Sequence, residues 1–508
     1  MEFSSSPPLK RPPRWRQPGL WTAAFALLAY ALTLAHYGNA CAGGSDSSGY
    51  LNNARLLAAG HAQAAPRTLP GLSPAAAPPY LYLPLGFRPG PSGAGMVPTY
   101  ATGLPLLVVA AARLSGWSRA CDLVMLVHAL AGILLTYALG RLVRLPRPWA
   151  ILAAAIVGAS PLYVEYSLQA MSDLPATVWV LAAVVAAGRS LAGERRAATA
   201  WAMAAGFALA LAVLIRPSNA LAFAPVALAL GASPRRWLAL ALGGLPGALF
   251  LFSYNAAAYG HFLATGYGDT RTLFTLGWVS VTLRHYLHWL PLLLTPVILP
   301  ALLLPLMGWR APRAAALLSV WVLAYLGFYC AYFNTHETWW YLRFVLPAAP
   351  ALVVGGLLAV TWIFGRSDEV IERFAAGKGR TVFALALVLI LLNGVWLNRR
   401  FQTLAVGHGE ASYPLASAWA REHLPADSVL AVMQVSGAFF YYTDFTLVRW
   451  DQMEPGTFAR VAAAAGASHR PIYAALFPFE TAEALHERMP GRWTKITAIR
   501  DIGIWRHE

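Results

Sequence analysis

PGLWTAAFALLAYALTLAHYGNACAGGSDSSGYLNNARLLAAG, residues 18–60, holds an apolar run that ends abruptly in a polar loop built of small residues. The run is about as long as a helix needs to cross a bilayer. Lys10, Arg11, Arg14 and Arg16 precede it, as in a signal peptide. The run is at the long end for a signal core, however, and further spans follow, so it reads as a retained first span. Asp46 lies at the centre of the loop, between Gly43, Gly44 and Ser45 on one side and Ser47, Ser48 and Gly49 on the other. A helical pattern follows through Tyr50, Leu51, Ala54, Leu57 and Ala58, with Gly60 as its stop. Taken alone, Asp46 reads as a cap of that helix. A carboxylate at a membrane surface with space around it can also take a proton from a hydroxyl.

Outward from this stretch, the chain continues as a polytopic membrane protein. Its 508 residues are 58% hydrophobic and only 12% charged, too apolar a balance for a soluble protein. Apolar runs centre on 120–140, 149–163, 174–191, 197–215, 219–232, 237–257, 287–307, 314–333, 344–364 and 381–398. The net charge of +16 does not point to nucleic acid, because the arginines cluster in short loops between these runs. Those loops, at 141–147, 193–196, 233–236, 308–313 and 365–380, fit one alternating pattern when placed in the cytoplasm. The pattern requires that segment 98–114, broken by Pro98 and Pro105, lie along the membrane or re-enter it. Eleven spans result, with a basic tail at 1–17 inside and residues 399–508 outside. The expected organisation is a transmembrane region at 18–398 with outer loops 38–119, 161–173, 258–286 and 334–343. An extracytoplasmic α/β domain at 399–508 completes it.

The C-terminal pattern predicts helices at 412–423, 457–466 and 480–488. Strands are predicted at 429–434, 445–450, near Ile472–Phe477 and over about Ile496–Trp505. No phosphate-binding glycine loop and no Ser/His/Asp arrangement occurs there. Cys41, Cys121 and Cys330 have no metal-binding spacing; Cys41 and Cys121 fall on the same side and could pair.

This topology gathers the unusual polar residues on one face. Asp173 stands in Ser172-Asp173-Leu174-Pro175, a helix-start pattern in which a cap is the simpler role. Glu165 lies between tyrosines, beside Tyr166, with no capping role in view. Arg343 opens a span in TWWYLRFVLPAAP, where Trp339, Trp340 and Tyr341 read as an interfacial belt. Its guanidinium also suits a phosphate. His336 and Glu337 add polar groups able to help bind a headgroup, but their adjacency is not a metal-ligand spacing. Arg271 and Arg284 bring two further cations to the same face, in the loop at 258–286.

In these residues the chain resembles the GT-C class of membrane glycosyltransferases, in the branch of protein O-mannosyltransferases and the aminoarabinose–lipid A transferase. Asp46 to Gly60, SPLYVEYSLQAMSDLPA at 160–176 and YLRFVLPAAP at 341–350 carry the resemblance. It implies transfer of a sugar from a polyprenyl-phosphate donor to a lipid, glycan or protein acceptor, usually with inversion, at the outer face of a bacterial inner membrane. It further implies Asp46 as general base, Asp173 orienting acceptor or donor, and Arg343 at the donor phosphate. Many relatives follow the first Asp with Glu, whereas Ser47 stands here. A paired-carboxylate metal site is therefore not indicated, and no cofactor is expected beyond a divalent cation without spacing to support it.

The chemistry is consistent with that layout on independent grounds. A lipid phosphate is an activated leaving group, so the enzyme needs a base for the acceptor and cations for the departing phosphate. Arg343, with Arg271 or Arg284, would supply the cations. A transporter or lipid flippase would instead carry broken spans with ionisable residues at mid-membrane, whereas those here stand at span ends. An inactive scaffold whose outer domain binds a partner is the other alternative.

Overall fold

The computed structural model describes residues 18–91, 93, 95–192, 194–364 and 378–508. The basic tail at 1–17 and most of the loop at 365–380 lie outside the described residues. In chain order the helices used below are α1 (Pro18–Tyr37), α2 (Ser45–Ala58), α3 (Gly103–Ser115), α4 (Ala120–Leu142) and α5 (Arg147–Ala159). They continue with α6 (Pro161–Glu165), α7 (Asp173–Ala192), α8 (Arg195–Ile215), α9 (Phe223–Leu230), α10 (Pro234–Tyr259), α11 (Val279–Leu293), α12 (Pro312–Cys330), α13 (Ala349–Phe364) and α14 (Lys378–Arg400).

Each of the eleven expected spans falls on helical residues. Seven helical segments among the described residues are long and apolar enough to cross a membrane: Ala120–Leu142, Asp173–Leu191, Arg195–Ile215, Pro234–Tyr259, Pro312–Cys330, Trp339–Ile363 and Gly379–Arg400. The protein is an integral membrane protein. The other expected spans are shorter or broken, for reasons the sequence contains. The chain leaves α5 at Ala159 because Pro161 opens a separate helix. The run at 287–307 is divided after α11, where Thr295 has a φ of 64° and Pro296 begins a 3-10 helix through Leu303. Segment α3 is a helix of 13 residues, about 20 Å long and too short to span.

Buried faces of α4, α7, α12 and α13 form the main core, with Trp321, Tyr163 and Tyr325 among its largest enclosed side chains. Two segments are the most enclosed: 94% of the apolar window of Trp339–Ile363, which leads into α13, and 78% of that of α7 lie inside other parts of the protein.

The loop between α2 and α3 carries an antiparallel pair, β1 (Phe87–Pro89) and β2 (Met96–Pro98), and the residues after α14 build a five-stranded sheet. Its strands are β3 (Val429–Val432), β4 (Thr446–Arg449), β5 (Ile472–Leu476), β6 (Trp493–Ile499) and β7 (Ile502–His507). β3 runs parallel to both β4 and β5, and β7 pairs antiparallel with β5 and β6. The single expected last strand is thus a hairpin, which turns at Arg500 and Asp501 with φ of 52° at Arg500. A continuous β-pattern conceals this turn because neither residue is Gly or Pro.

The loop between α2 and α3 is part of the same body as this sheet. Leu69, Leu72, Leu81, Leu83, Phe87 and Met96 share one apolar core with Val429, Val448, Trp450 and Leu476. The Arg449 amide donates to the Leu81 carbonyl at 2.7 Å. The pairing of Cys41 with Cys121 is not formed; both are free thiols, and Cys41 Sγ donates to the Glu410 carbonyl at 3.3 Å.

Candidate active site

The first polar centre is built where α2 begins. Gly44 is the N-cap of α2 and makes no side-chain cap bond, so Asp46 stands in the first helical turn. Its carboxylate is directed to another part of the chain: Asp46 Oδ2 lies 3.0 Å from Arg343 Nη2. The small residues around it are required by close packing. Gly86 has φ +91° and a Cβ there would sit 2.5 Å from the Cα of Gly49. The two backbones therefore touch, and Tyr100 fits beside them with its hydroxyl 2.8 Å from Ser45 Oγ.

Asp173 opens α7 and is fully buried. Its Oδ1 is bonded to Arg216 Nη1, and its Oδ2 is buried with no protein partner. Arg216 stands where α8 ends and Pro217 begins a 3-10 turn. Tyr329 donates to Ser218 at 2.6 Å and Tyr325 to Asn219 at 3.0 Å, which tie this turn to α12. Sequence reading missed Arg216. Its signal was an arginine alone in a tight turn at the end opposite to the arginine-rich loops.

The two ion pairs adjoin. The guanidinium carbons of Arg216 and Arg343 each lie 5.1 Å from the Phe344 ring. Tyr50 of α2 donates to Ser172, next to Asp173, at 2.8 Å. Asp46, Asp173 and Arg343 thus come together, with Arg216 as a fourth member. Arg343 keeps an unused donor, since its Nε is buried without a partner. Its ring neighbours are Tyr341 at 5.7 Å and Tyr166 at 6.0 Å, and Tyr166 is held by a 2.9 Å bond to the Trp340 carbonyl.

Glu165 ends the short helix α6 beside this group. Burial pushes its carboxyl up to about 7, against the nearby Arg343 charge, which pulls it down. The remaining expected residues lie elsewhere. Arg271 pairs with Asp269 at 2.7 Å in an exposed loop, and Arg284 is exposed and donates to Ser280 of its own helix. The position expected for their charge beside Arg343 is taken by Arg216. His336 stacks on Trp278 at 4.7 Å with Nδ1 buried and unpartnered, while Glu337 is exposed. Among the described residues no three His, Cys, Asp or Glu side chains gather as metal ligands.

No family model and no curated protein matches the sequence. Solved structures do match the fold. ArnT from Cupriavidus metallidurans bound to undecaprenyl phosphate is 14% identical, with a TM-score of 0.57 over 96% of this chain and 97% of that one. The Archaeoglobus fulgidus oligosaccharyltransferase tethered with an acceptor peptide is 14% identical, with a TM-score of 0.51 over 90% of this chain and 69% of that one. The mycobacterial arabinofuranosyltransferase AftD is 12% identical, with a TM-score of 0.50 over 95% of this chain and 41% of that one. The chain therefore has the GT-C fold of membrane glycosyltransferases, in an ArnT-like arrangement that extends over nearly its whole length.

Proposed function

We propose that the protein is a glycosyltransferase that moves a sugar from a polyprenyl-phosphate donor to a lipid, glycan or protein acceptor. The site would face the periplasmic side of a bacterial inner membrane. One observation carries the reading: a partly open carboxylate, Asp46, is paired with a largely buried guanidinium, Arg343, that still has a free donor. Two structural neighbours, ArnT bound to undecaprenyl phosphate and an archaeal oligosaccharyltransferase in complex with a dolichol-phosphate, support the donor class.

In this reading Arg343 holds the donor phosphate through its fork of N–H groups. A phosphate arriving there competes with Asp46 for the same guanidinium, so donor binding frees the Asp46 carboxylate. Asp46 then takes the proton of the acceptor nucleophile as it attacks the anomeric carbon. The bond between that carbon and the phosphate oxygen breaks, and the lipid phosphate leaves with the electron pair, stabilised by Arg343 and the nearby Arg216. Asp173 acts through Arg216: it keeps that cation fixed and keeps one carboxylate oxygen free to orient a substrate hydroxyl. Glu165, Tyr166 and Tyr341 surround Arg343 and shape the donor-phosphate site, with His336 and Glu337 on the loop that leads to it. Two guanidiniums, those of Arg343 and Arg216, supply the positive charge at the departing phosphate.

The test uses purified protein in lipid vesicles and a panel of polyprenyl-phosphate sugars carrying a radiolabel, with membrane lipid, glycan and peptide fractions as acceptors. Labelled product is expected from at least one donor. Asp46→Asn is expected to lower its formation by about 100- to 10,000-fold, the usual range for loss of a general base. Transfer by well-folded Asp46→Asn at the parent rate would overturn the assignment.

A further inference from the structure

Arg55 is a cation that the scheme above does not use. It lies near the end of α2, about 14 Å along the helix from Asp46. Its guanidinium carbon is 5.0 Å from the centre of the Trp117 ring and 4.6 Å from that of the Tyr441 ring. Trp117 stands in the turn between α3 and α4, and Tyr441 in the helix Ser436–Tyr442 of the C-terminal domain. Three parts of the chain thus meet at one guanidinium. Arg113 and Arg119, on either side of Trp117 in the chain, belong to the same corner. All three arginines are exposed, and among the described residues none forms an ion pair. Arg67, Arg216, Arg271 and Arg343, by contrast, each have an aspartate.

Helix α4 sets the depth of this corner in a bilayer. It begins at Ala120, directly after Arg119, and its 23 residues rise about 35 Å, enough to cross the hydrocarbon layer. Arg119 therefore stands where the span leaves that layer, at the level of lipid headgroups. Leu114, next to Arg113, is 85% exposed, so the corner also carries an aliphatic side chain that little of the protein covers. Trp117 adds a ring of the kind favoured at such a boundary. A guanidinium resting on aromatic rings is partly stripped of water on its face, while the N–H groups around its edge stay free to donate to a phosphate in pairs. An acidic peptide would meet these charges and leave Leu114 in water. A phospholipid meets both, with phosphate at the guanidiniums and acyl chain at Leu114.

We propose that this corner binds the headgroup phosphate of an anionic membrane lipid, with Arg55 as its fixed donor and Arg113 and Arg119 as flanking cations. The site is separate from the one at Arg343 and does not depend on the proposed reaction. A lipid held there ties the end of α2, whose start carries Asp46, and the C-terminal domain to the membrane surface.

For the test, purified full-length protein is placed in phosphatidylcholine vesicles containing increasing shares of a photoactivatable phosphatidylglycerol. Cross-linked peptides are mapped after illumination. In the parent, label is expected on the peptide that contains residues 113–119 at low shares of the anionic lipid. Arg55→Gln should raise the share needed for half-maximal label by about fivefold, the worth of one cation at an anionic surface. Arg113→Gln together with Arg119→Gln should raise it by about 25-fold. That pair alters only exposed side chains and decides the matter should Arg55→Gln fail to fold. Arg343→Lys should leave the label unchanged. Parent-like labelling of the Arg55 and Arg113/Arg119 variants overturns the proposal. Loss of the label in Arg343→Lys also overturns it, because the lipid would then belong to the donor site. Inorganic phosphate or a glutamate-rich peptide, each at the lipid's own concentration, should not remove the label. Removal by phosphate would make the ligand a free anion, and removal by the peptide would make the corner a protein-docking surface. Either result overturns the lipid assignment.

Discussion

Two carboxylate–guanidinium pairs stand side by side in this protein, and they differ in enclosure. In Asp173–Arg216 the side chains are 1% and 12% exposed; in Asp46–Arg343 they are 27% and 15% exposed. The first pair joins the start of α7, a helix of the main core, to a turn held by two tyrosines of α12. The second joins a glycine-rich loop to the start of the segment leading into α13. The same chemistry is thus used once where ligand access is slight and once at an opening. A closed pair fixes the positions of helices, while an open one has a carboxylate that a ligand can reach and displace.

The largest expected effect breaks the open pair from its acidic side. Asp46→Asn should reduce transfer by about 100- to 10,000-fold. It should leave thermal unfolding in detergent close to the parent, because Asn keeps the size of Asp and its amide oxygen can still accept from Arg343 at this partly open position. A large fall in stability instead would make the two pairs alike.

Breaking the closed pair should act on folding. Asp173→Ala leaves Arg216 without its counter-charge and is expected to destabilise by about 3–5 kcal/mol. Arg216→Met together with Asp173→Leu should recover much of that stability without restoring transfer. Chemical denaturation followed by tryptophan fluorescence, with transfer assays alongside, reads both.

Arg343→Lys keeps the charge and removes the fork. Binding of undecaprenyl phosphate, measured by titration, is expected to weaken by about 10- to 100-fold, as for loss of a hydrogen bond to a charged group. An equally tight complex would mean that the donor phosphate is held elsewhere.

The smallest effect is one of pH. Glu165 and Glu410 are both pushed by burial up to about 7. From the ordinary glutamate value of about 4.3 up to that point, the folded state binds more protons than the unfolded state. Stability should therefore fall as pH rises through this window and level off above it. Glu165→Gln and Glu410→Gln should each flatten part of the slope. An unchanged slope in both would show that neither acid is enclosed as described.

The contrast between the pairs also explains what could be read from sequence. Asp46, Asp173 and Arg343 were legible because each interrupts an apolar pattern at a span end, and their common side follows from the arginine-rich loops. Enclosure was not legible. Arg271 and Arg284 were counted by side of the membrane, yet depth separates them from Arg343: both are exposed and engaged locally. Arg216 resembles an ordinary interfacial anchor until α7 is placed against it. Glu410 follows the last span among polar residues and reads as solvated, because its contact with Gly43 spans 367 positions of chain that no local pattern reports. In the fold, the helical segments followed from apolar periodicity. The Arg500–Asp501 turn did not, since it uses a left-handed Arg where a Gly would have announced it.

The short helices have a consequence for the lipid itself. Helix α5 has 13 residues, and the segment Pro217–Leu230 is likewise short. An α-helix of thirteen residues rises about 20 Å, roughly 10 Å less than a hydrocarbon layer, so α5 does not cross one by itself. One end of each carries arginines, at 141–147 and at 235–236, whose charge keeps that end in contact with water and headgroups. The shortfall then falls at the opposite ends, where α5 leads to Glu165 and Pro217 adjoins Arg216. A bilayer around these segments is expected to thin there, as membranes do around a hydrophobic length too small for them. In the proposed reaction a headgroup phosphate at such a thinned place would reach the two guanidiniums while its tail stays among the acyl chains.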